Sequence, residues 1–211
     1  MAFVITVAQQ KGGAGKTTLA ANLAAGWAGN GARVALLDID PQRSLSRWHA
    51  MRPGNAKATV TIHLSEVAGW RLAAELDRLR ASHDIVIIDS PPQIETDARL
   101  AIRGADLVLV PIQPSLPDLW AAEGTLKLAK TEKRAVRVVL NRAPASGTLL
   151  SRVTAQIEKS GVERTRSSLG NRVGFANAFA LGLGVTETAP KSLAAVELLA
   201  LLMEIDSARQ Q

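Results

Sequence analysis

A glycine-rich loop near the amino terminus constrains the fold of this chain more than any other feature. It reads K-G-G-A-G-K-T over residues 11–17 and follows a short, apolar, largely β-branched run at residues 2–8. Such a run is typical of a buried strand. After the loop, Leu19, Leu23 and Trp27 recur at helical spacing among alanines, which predicts a helix. We therefore expect the loop at a strand-to-helix turn.

This position predicts that the loop binds phosphate. Glycines allow backbone N–H groups to converge on an anion, and the following helix adds the positive end of its dipole. In such loops a lysine contacts the β- and γ-phosphates, and a hydroxyl binds Mg²⁺. Lys16 and Thr17 occupy these positions. The residues predicted to bind the nucleotide in this loop are Lys11, Gly12, Gly13, Ala14, Gly15, Lys16, Thr17 and Thr18.

The loop departs from the common pattern G-x-x-x-x-G-K-[ST]. Its first glycine position holds Gln10, and a second lysine, Lys11, stands at the entrance. In these respects the loop resembles the deviant Walker A motif of the ParA/MinD family, and the chain resembles the short ParA type over nearly its whole length. The resemblance implies ATP and Mg²⁺ as cofactors and a homodimer in which Lys11 reaches the partner's ATP. The segment P-S-x-P-D at residues 114–118 resembles the family's proline-rich segment near the dimer interface, although prolines equally suit an ordinary helix start.

The remaining chain alternates between strand and helix patterns. Strands are predicted at residues 33–37, 59–62, 85–88, 107–110 and 136–140, with Pro111 ending the fourth of these. Helices are predicted at residues 44–48, with Ser44 as the N-cap, and at 66–81, 96–103, 114–130, 149–159, 171–181 and 193–207. This alternation predicts an α/β fold with a mostly parallel, twisted sheet and helices on both faces. We expect a single P-loop NTPase domain over residues 1–211.

Carboxylates follow two of the predicted strands, at the edge where such sheets bind ligands. Asp89 comes directly after four apolar residues, the Walker B arrangement, in which a carboxylate holds Mg²⁺ through water. Asp38 and Asp40 flank Ile39 at another strand end. Alternate residues of a strand share a face, so both carboxylates are expected to point toward the phosphates. Asp89 as a simple turn cap, and Asp38 and Asp40 in a solvated turn, are the structural alternatives.

The segment D-x-D-P-Q at residues 38–42 resembles the A′ segment of ParA proteins. The resemblance implies that Asp40 orients the attacking water and that Asp38 supports the water shell of the metal. It also implies that Asn141 and Arg142 contact adenine, by amide hydrogen bonds and by guanidinium stacking. A plain loop after a strand is the alternative for this pair. The predicted catalytic residues are Lys11, Lys16 and Asp40.

Positive charge is concentrated in the carboxyl-terminal half. The net charge is +6, and residues 127–172 contain 11 basic and only 3 acidic side chains. Such an excess favours polyanionic partners. Together with the resemblance it implies non-specific binding to DNA, for which we favour Arg164, Arg166 and Arg172 because they precede the last two predicted helices. A basic but solvated surface is the alternative.

Several classes of protein are disfavoured by composition. The chain has no cysteine, so disulfides, thiolate metal sites and iron–sulfur clusters are excluded, which suits a reducing cytoplasm. No apolar run approaches the length of a membrane span. The first predicted strand begins at residue 2, which leaves no room for a helix-turn-helix, so we expect no binding to a specific operator.

The resemblance implies a cytoplasmic, nucleoid-associated ATPase. Its ATP dimer would coat DNA, and a ParB-like or adaptor protein would stimulate hydrolysis to position a plasmid, a chromosome or a protein cluster. A MinD-like membrane-cycling ATPase is one alternative and needs a terminal amphipathic helix with a basic face. The last predicted helix instead carries Glu197, Glu204 and Asp206, so no membrane partner is expected. A P-loop metabolic ligase is the other alternative, and it has no use for Lys11.

Overall fold

Strands and helices alternate along the chain, as the hydrophobic pattern predicts. The computed structural model describes residues 1–52, 55–58, 60–67, 69–92 and 96–209. The strands are β1 (Phe3–Val7), β2 (Val34–Asp38), β3 (His63–Glu66), β4 (Ile85–Asp89), β5 (Leu107–Ile112) and β6 (Ala135–Leu140). The helices are α1 (Lys16–Gly29), α2 (Ser44–Ala50), α3 (Leu72–Ser82), α4 (Thr96–Gly104), α5 (Leu116–Thr131), α6 (Thr148–Lys159), α7 (Val173–Ala180), α8 (Val185–Thr188) and α9 (Leu193–Arg209).

The six strands form one parallel sheet in the order β3-β2-β4-β1-β5-β6. β4 lies between β1 and β2, and Asp89 at its end is in register with Val7 of β1 and with Asp38 of β2. These three strands therefore end at the same level. Their shared carboxyl edge brings together the glycine-rich loop after β1 and both aspartates, as the sequence predicts.

Helices cover both faces of the sheet. Strand side chains alternate between the faces, and Ile5 and Val7 pack in a core with residues of α1, α2, α7, α8 and α9. On the opposite face, Val4 and Val86 pack with α3 and α4, while Val108 packs with α5 and α6. Because both faces are covered, the strands need apolar residues at nearly every position. The predicted α/β fold is confirmed.

The third strand begins four residues later than predicted. Residues 59–62 were the predicted strand, but β3 starts at His63, and residue 59 lies outside the described residues. The carbonyl of Val60 accepts a hydrogen bond from Arg52 Nη2 (3.2 Å), and the carbonyl of Ile62 lies 2.7 Å from His49 Nε2. Side chains at the end of α2 thus occupy carbonyls that a strand would use. Composition alone does not show these contacts.

Other boundaries also differ from the prediction. The helix predicted at residues 66–81 begins instead with a 3-10 turn at Gly69–Arg71, because Glu66 still pairs in β3. Pro111 does not end its strand, since β5 continues to Ile112. Its carbonyl accepts from Gln9 on the β1 side, where the ladder with β1 has already ended at Leu109, so no N–H is needed there. The four-residue helix α8 is too short to show a period and was not predicted.

Ser44 does not cap α2 as predicted. The N-cap is Arg43, with a left-handed φ of 52°, and Ser44 is the first helical residue. Asp38 satisfies this helix end instead, because its Oδ2 accepts hydrogen bonds from the backbone N–H of Ser46 (2.8 Å) and from its Oγ (2.7 Å). A buried carboxylate at the end of β2 therefore anchors α2.

The leucines of α9 belong to the core, as predicted. Leu198, Leu201 and Leu202 are each at most 1% exposed. On the other side of the helix, Glu197 and Glu204 accept hydrogen bonds from backbone N–H groups of the segment before α7. Within the described residues, none of the helices combines the length and the apolar character that crossing a bilayer requires.

Candidate nucleotide-binding site

The glycine-rich loop lies between β1 and α1 at the carboxyl edge of the sheet. Gly13 and Gly15 adopt left-handed φ values of 76° and 91°, which favour glycine. A Cβ on Gly15 would also lie only 2.4 Å from Asn141 Nδ2. Gly15 is the N-cap of α1, and no described side chain caps this helix end. The first N–H groups of α1 are thus open to an anion at the positive end of the helix dipole.

Lys16 is the first residue of α1 and lies within the site. It is only 7% exposed. Burial lowers the pKa of Lys16 below its usual value, although the negative charges of Asp89 and Asp40 oppose this shift. The ammonium group thus lies among carboxylates at the floor of the loop, where a lysine can contact terminal phosphates.

Asp89 ends β4 beneath the loop. It is fully buried, and neither carboxylate oxygen has a hydrogen-bond partner among the described residues. Burial raises the pKa of Asp89 to about 7, assisted by the charges of Asp38 and Asp40 and opposed by the Thr17 hydroxyl and Lys16. A buried carboxylate without a partner is costly unless a cation or ordered water satisfies it. The residues present therefore fit Mg²⁺ between Thr17 and Asp89, as the sequence predicts.

Asp38 and Asp40 do not share a strand face, contrary to the prediction. β2 ends at Asp38, and Asp40 lies in the following turn, with its N–H donating to Asp38 Oδ1 (3.1 Å) and its own Oδ1 accepting from Gln42 N (2.9 Å). Because Ser46 binds the second oxygen of Asp38, that carboxylate is 4% exposed and fully engaged in holding the chain. Asp40 is more exposed, and its charge acts on Lys16.

Asn141 and Arg142 follow β6 and lie beside the loop. Asn141 is 8% exposed. Its Nδ2 donates to the carbonyl of Ala14 (2.9 Å), and its Oδ1 accepts from the N–H of Arg142 (3.0 Å). Arg142 is held at a left-handed φ of 51°, with an exposed side chain. Asn141 therefore ties the end of β6 to the phosphate loop, a contact that the sequence did not reveal.

A cavity of about 400 Å³ opens between the loop and the segment that follows β6. This volume falls within the range of small-molecule sites. Its lining is formed by Gly15, Thr18, Leu19, Asn22, Asn141, Arg142, Leu169, Gly170, Asn171, Arg172, Val173, Phe175 and Ala176. The cavity adjoins the phosphate loop, so a base and ribose bound there would lie next to phosphates bound by α1. The segment 169–176 contributes much of it and was not predicted to do so.

Lys11 and Lys16 have different surroundings. Lys11 stands at the loop entrance with its side chain 43% exposed, and it forms an ion pair with Asp118, whose side chain is 2% exposed. Asp118 lies in the first turn of α5 and was not among the predicted site residues. The spacing S-x-x-D, which places an acidic residue three positions after the Ser115 N-cap, was the local signal available.

The three arginines favoured for DNA binding lie in different places. Arg172 lines the cavity and pairs with Glu197 (2.8 Å). Arg164 lies 3.6 Å from Glu158. Arg166 is exposed, and no ion pair involves its side chain within the described residues. Its position suits a contact with phosphate, whereas the position of Arg172 favours contact with the nucleotide.

Residues 5–183 match the protein family described as the CobQ/CobB/MinD/ParA nucleotide binding domain. The chain belongs to this family. The match begins within β1 and includes the phosphate loop, Asp40, Asp89 and the cavity. The family resemblance drawn from the loop is thereby confirmed.

Two named relatives of this family member share about a third of their residues with it. The Maintenance of carboxysome distribution protein A of Halothiobacillus neapolitanus is 31% identical over 207 residues, which cover 93% of this chain and 92% of that protein. The Chromosome partitioning protein ParA of Caulobacter vibrioides is 31% identical over 187 residues, which cover 70% of this chain and 68% of that protein.

Solved structures of this family share the fold. The cell division ATPase MinD of Pyrococcus furiosus gives a TM-score of 0.83 at 19% identity, with 99% of this chain and 100% of that chain covered. Apo McdA of Cyanothece gives a TM-score of 0.79 at 19% identity, with 99% of both chains covered. The likeness extends over essentially all of the present chain.

Proposed function

We propose that this chain is an ATPase of the ParA type, which binds Mg-ATP, pairs with a second copy of itself and distributes a cargo in the cell. The observation that carries the proposal is the contrast between the two lysines of one loop. Lys16 is buried at the floor of the site, where it serves its own subunit. Lys11 lies on the outer side of the loop, against α5. A lysine placed there suits the phosphates of a facing copy.

The reaction is attack of water on the γ-phosphorus, which breaks the bond to the oxygen that bridges the β- and γ-phosphates. Lys16 and the N–H groups at the start of α1 bind the phosphates, and Asp40 orients the water. Thr17 and, through water, Asp89 would hold Mg²⁺, which neutralises phosphate charge when bound. Asp38 acts through Asp40, since it fixes the turn that presents Asp40.

Pairing and hydrolysis are linked in this proposal. A cation supplied by a partner stabilises the charge of the transition state, and such a residue accelerates phosphoryl transfer by about 10³–10⁵. If Lys11 supplies that charge, each active site is complete only in the dimer. ATP would then favour pairing, and loss of the γ-phosphate would favour release. An adaptor or ParB-like protein would set the pace by stimulating hydrolysis.

The cavity beside the loop would hold adenosine. Arg142 offers a planar guanidinium for stacking on adenine, and Arg172 lies on the same cavity. Asn141 contributes chiefly by holding the loop, because Ala14 and Arg142 already engage both ends of its amide. Residues 1–211 would act as one ATPase domain.

The cargo is proposed from the relatives. One bears the name of carboxysome distribution and another that of chromosome partitioning. Both names describe the placement of a large object within the cell. We propose the same class of task here, with a cytoplasmic protein that associates with the nucleoid in its ATP form.

Non-specific DNA binding would provide the track. Of the 11 basic side chains between residues 127 and 172, three form ion pairs within the described part of the chain and the others are left for phosphates. Several lie along two neighbouring grooves that share Glu163, beside the end of α5 and the start of β6. These are Lys127, Lys130, Arg134, Arg137, Arg164 and Arg166. The structure thus adds the α5 end to the predicted arginines as a candidate DNA surface.

Retention on DNA across a salt series tests this surface. With ATP and Mg²⁺ the protein should bind random-sequence DNA, and roughly 6–10 phosphate contacts predict a loss of about 10³–10⁵ in affinity between 50 and 200 mM salt. Lys130→Glu and Arg166→Glu should weaken retention, whereas Lys57→Glu, which makes the same charge change at an exposed site elsewhere, should not. Retention that ignores ATP would refute the proposal. Binding to anionic vesicles in place of DNA would favour a membrane-cycling ATPase.

A further inference from the structure

The carboxylate of Asp118 gathers three donors from different parts of the chain. Its Oδ2 accepts from Lys11 Nζ and from Ser115 Oγ (2.8 Å), and its Oδ1 accepts from the N–H of Gln113 (3.3 Å). Burial raises the pKa of Asp118, but the hydrogen bonds from Lys11, Ser115 and Gln113 outweigh it and leave that pKa below its usual value. Asp118 is therefore a charged, satisfied group, and Lys11 supplies the only positive charge that contacts it among the described residues.

The loop entrance is docked on α5 by further contacts. Gln113 Nε2 lies 3.5 Å from the carbonyl of Gly13, at hydrogen-bonding distance. The side chain of Gln10 packs so closely on α5 that a Cβ on Gly124 would lie 2.3 Å from its Nε2. Residues on both sides of Lys11 thus rest against the first turns of the same helix. Movement of Lys11 is thereby coupled to α5.

We propose that Asp118 is a positioning residue that holds Lys11 against its own subunit and releases it only when the partner's ATP offers a stronger anion. The inference rests on the proposed function, in which Lys11 acts across a dimer. In the single chain the Lys11 ammonium is held against α5 by Asp118, so it must leave that carboxylate to reach a phosphate in trans. Asp118 therefore sets a threshold against pairing without ATP.

The two partners of this ion pair contribute unequally. The Lys11 side chain is 43% exposed, so its ammonium exchanges partners at small cost, whereas Asp118 is 2% exposed and would retain only neutral donors. Leaving a buried carboxylate without its cation opposes pairing. A triphosphate carries several charges and can offset this loss, because charge-assisted contacts to phosphate are strong. A state without the γ-phosphate offers less, so the latch would close again after hydrolysis.

The test compares Asp118→Asn with the wild-type protein. The variant keeps the size of the side chain and removes its charge. With Mg²⁺ and a non-hydrolysable ATP analogue, we expect the dimer of Asp118→Asn to be tighter by about tenfold, within the range of typical coupling between sites. Asp84→Asn is the matched control, because it removes an exposed carboxylate that pairs with Arg33 far from the loop, and it should leave the dimer constant unchanged.

A second readout separates positioning from a merely structural effect. Without nucleotide, the Lys11 amine of Asp118→Asn should be acylated faster than in the wild type, as measured by mass spectrometry, and that of Asp84→Asn should not. If Asp118→Asn does not fold, Asp118→Glu provides the comparison, since a displaced carboxylate should hold Lys11 less well and tighten the dimer.

The outcomes separate this inference from the proposal beneath it. A wild-type protein that dimerises, with an Asp118→Asn dimer that is unchanged or weaker, overturns the latch and leaves the proposed function standing. Unchanged Lys11 acylation in the variant also overturns it. A wild-type protein that stays monomeric with the ATP analogue refutes the proposed function itself.

Discussion

Replacement of Asn141 by alanine would decide how this residue serves the site. Its Nδ2 donates to the buried carbonyl of Ala14 at 2.9 Å across 127 positions of sequence, and Ala14 is 1% exposed. A buried acceptor that loses its donor costs about 1–3 kcal/mol. The Asn141→Ala loop should therefore be less well ordered for phosphates, and we expect nucleotide affinity to fall by about 5- to 150-fold, the equivalent of that energy.

Calorimetric titration with two ligands distinguishes an anchor for the loop from a contact with the base. If Asn141 holds the loop, the variant should lose affinity for ATP and for inorganic triphosphate by similar factors. A loss confined to ATP would show that the amide reads adenine and would refute this reasoning. Asn55→Ala is the matched control, because Asn55 also donates to a carbonyl (Leu181, 3.0 Å) and accepts from an N–H (Lys57, 3.0 Å), but at an exposed site.

Three further changes test other parts of the account. Lys16→Ala should abolish ATP binding in the same titration, since the lysine at the floor of the loop is lost; retained micromolar affinity would contradict the phosphate-loop assignment. Asp40→Ala should bind ATP and accumulate as a slowly hydrolysing dimer in a phosphate-release assay, and a normal rate would place the water elsewhere. Arg52→Ala should lower the free energy of unfolding in urea by about 3–5 kcal/mol, because it leaves Glu187, 6% exposed, without its cation; a loss below 1 kcal/mol would mean that water reaches the pair.

The phosphate loop and its aspartates could be predicted because their signals are local. Glycines between a strand and a helix, and Asp89 after four apolar residues, are contiguous in sequence. The parallel topology then placed these groups on one edge, since every strand of such a sheet points the same way. The face-sharing argument for Asp38 and Asp40 failed because it assumed that the strand continued past Asp38, where a turn begins.

The contacts that refine the site were not predictable in this way. Lys11 meets Asp118 across 107 positions, and Asn141 meets Ala14 across 127. Such pairs arise from the packing of α5 and β6 beside the loop, which leaves no periodic pattern in either partner. The same holds for Arg172, whose place in the cavity depends on the path of the chain after β6. Only the S-x-x-D spacing at the start of α5 gave a local indication.

The most direct test of the account is the mass of the protein in solution with saturating Mg²⁺ and a non-hydrolysable ATP analogue. Sedimentation should show a particle of twice the 22.3 kDa of one chain for the wild type, and a particle of one chain for Lys11→Ala. A wild-type protein that remains at 22.3 kDa under these conditions would contradict the claim that two copies enclose the nucleotide.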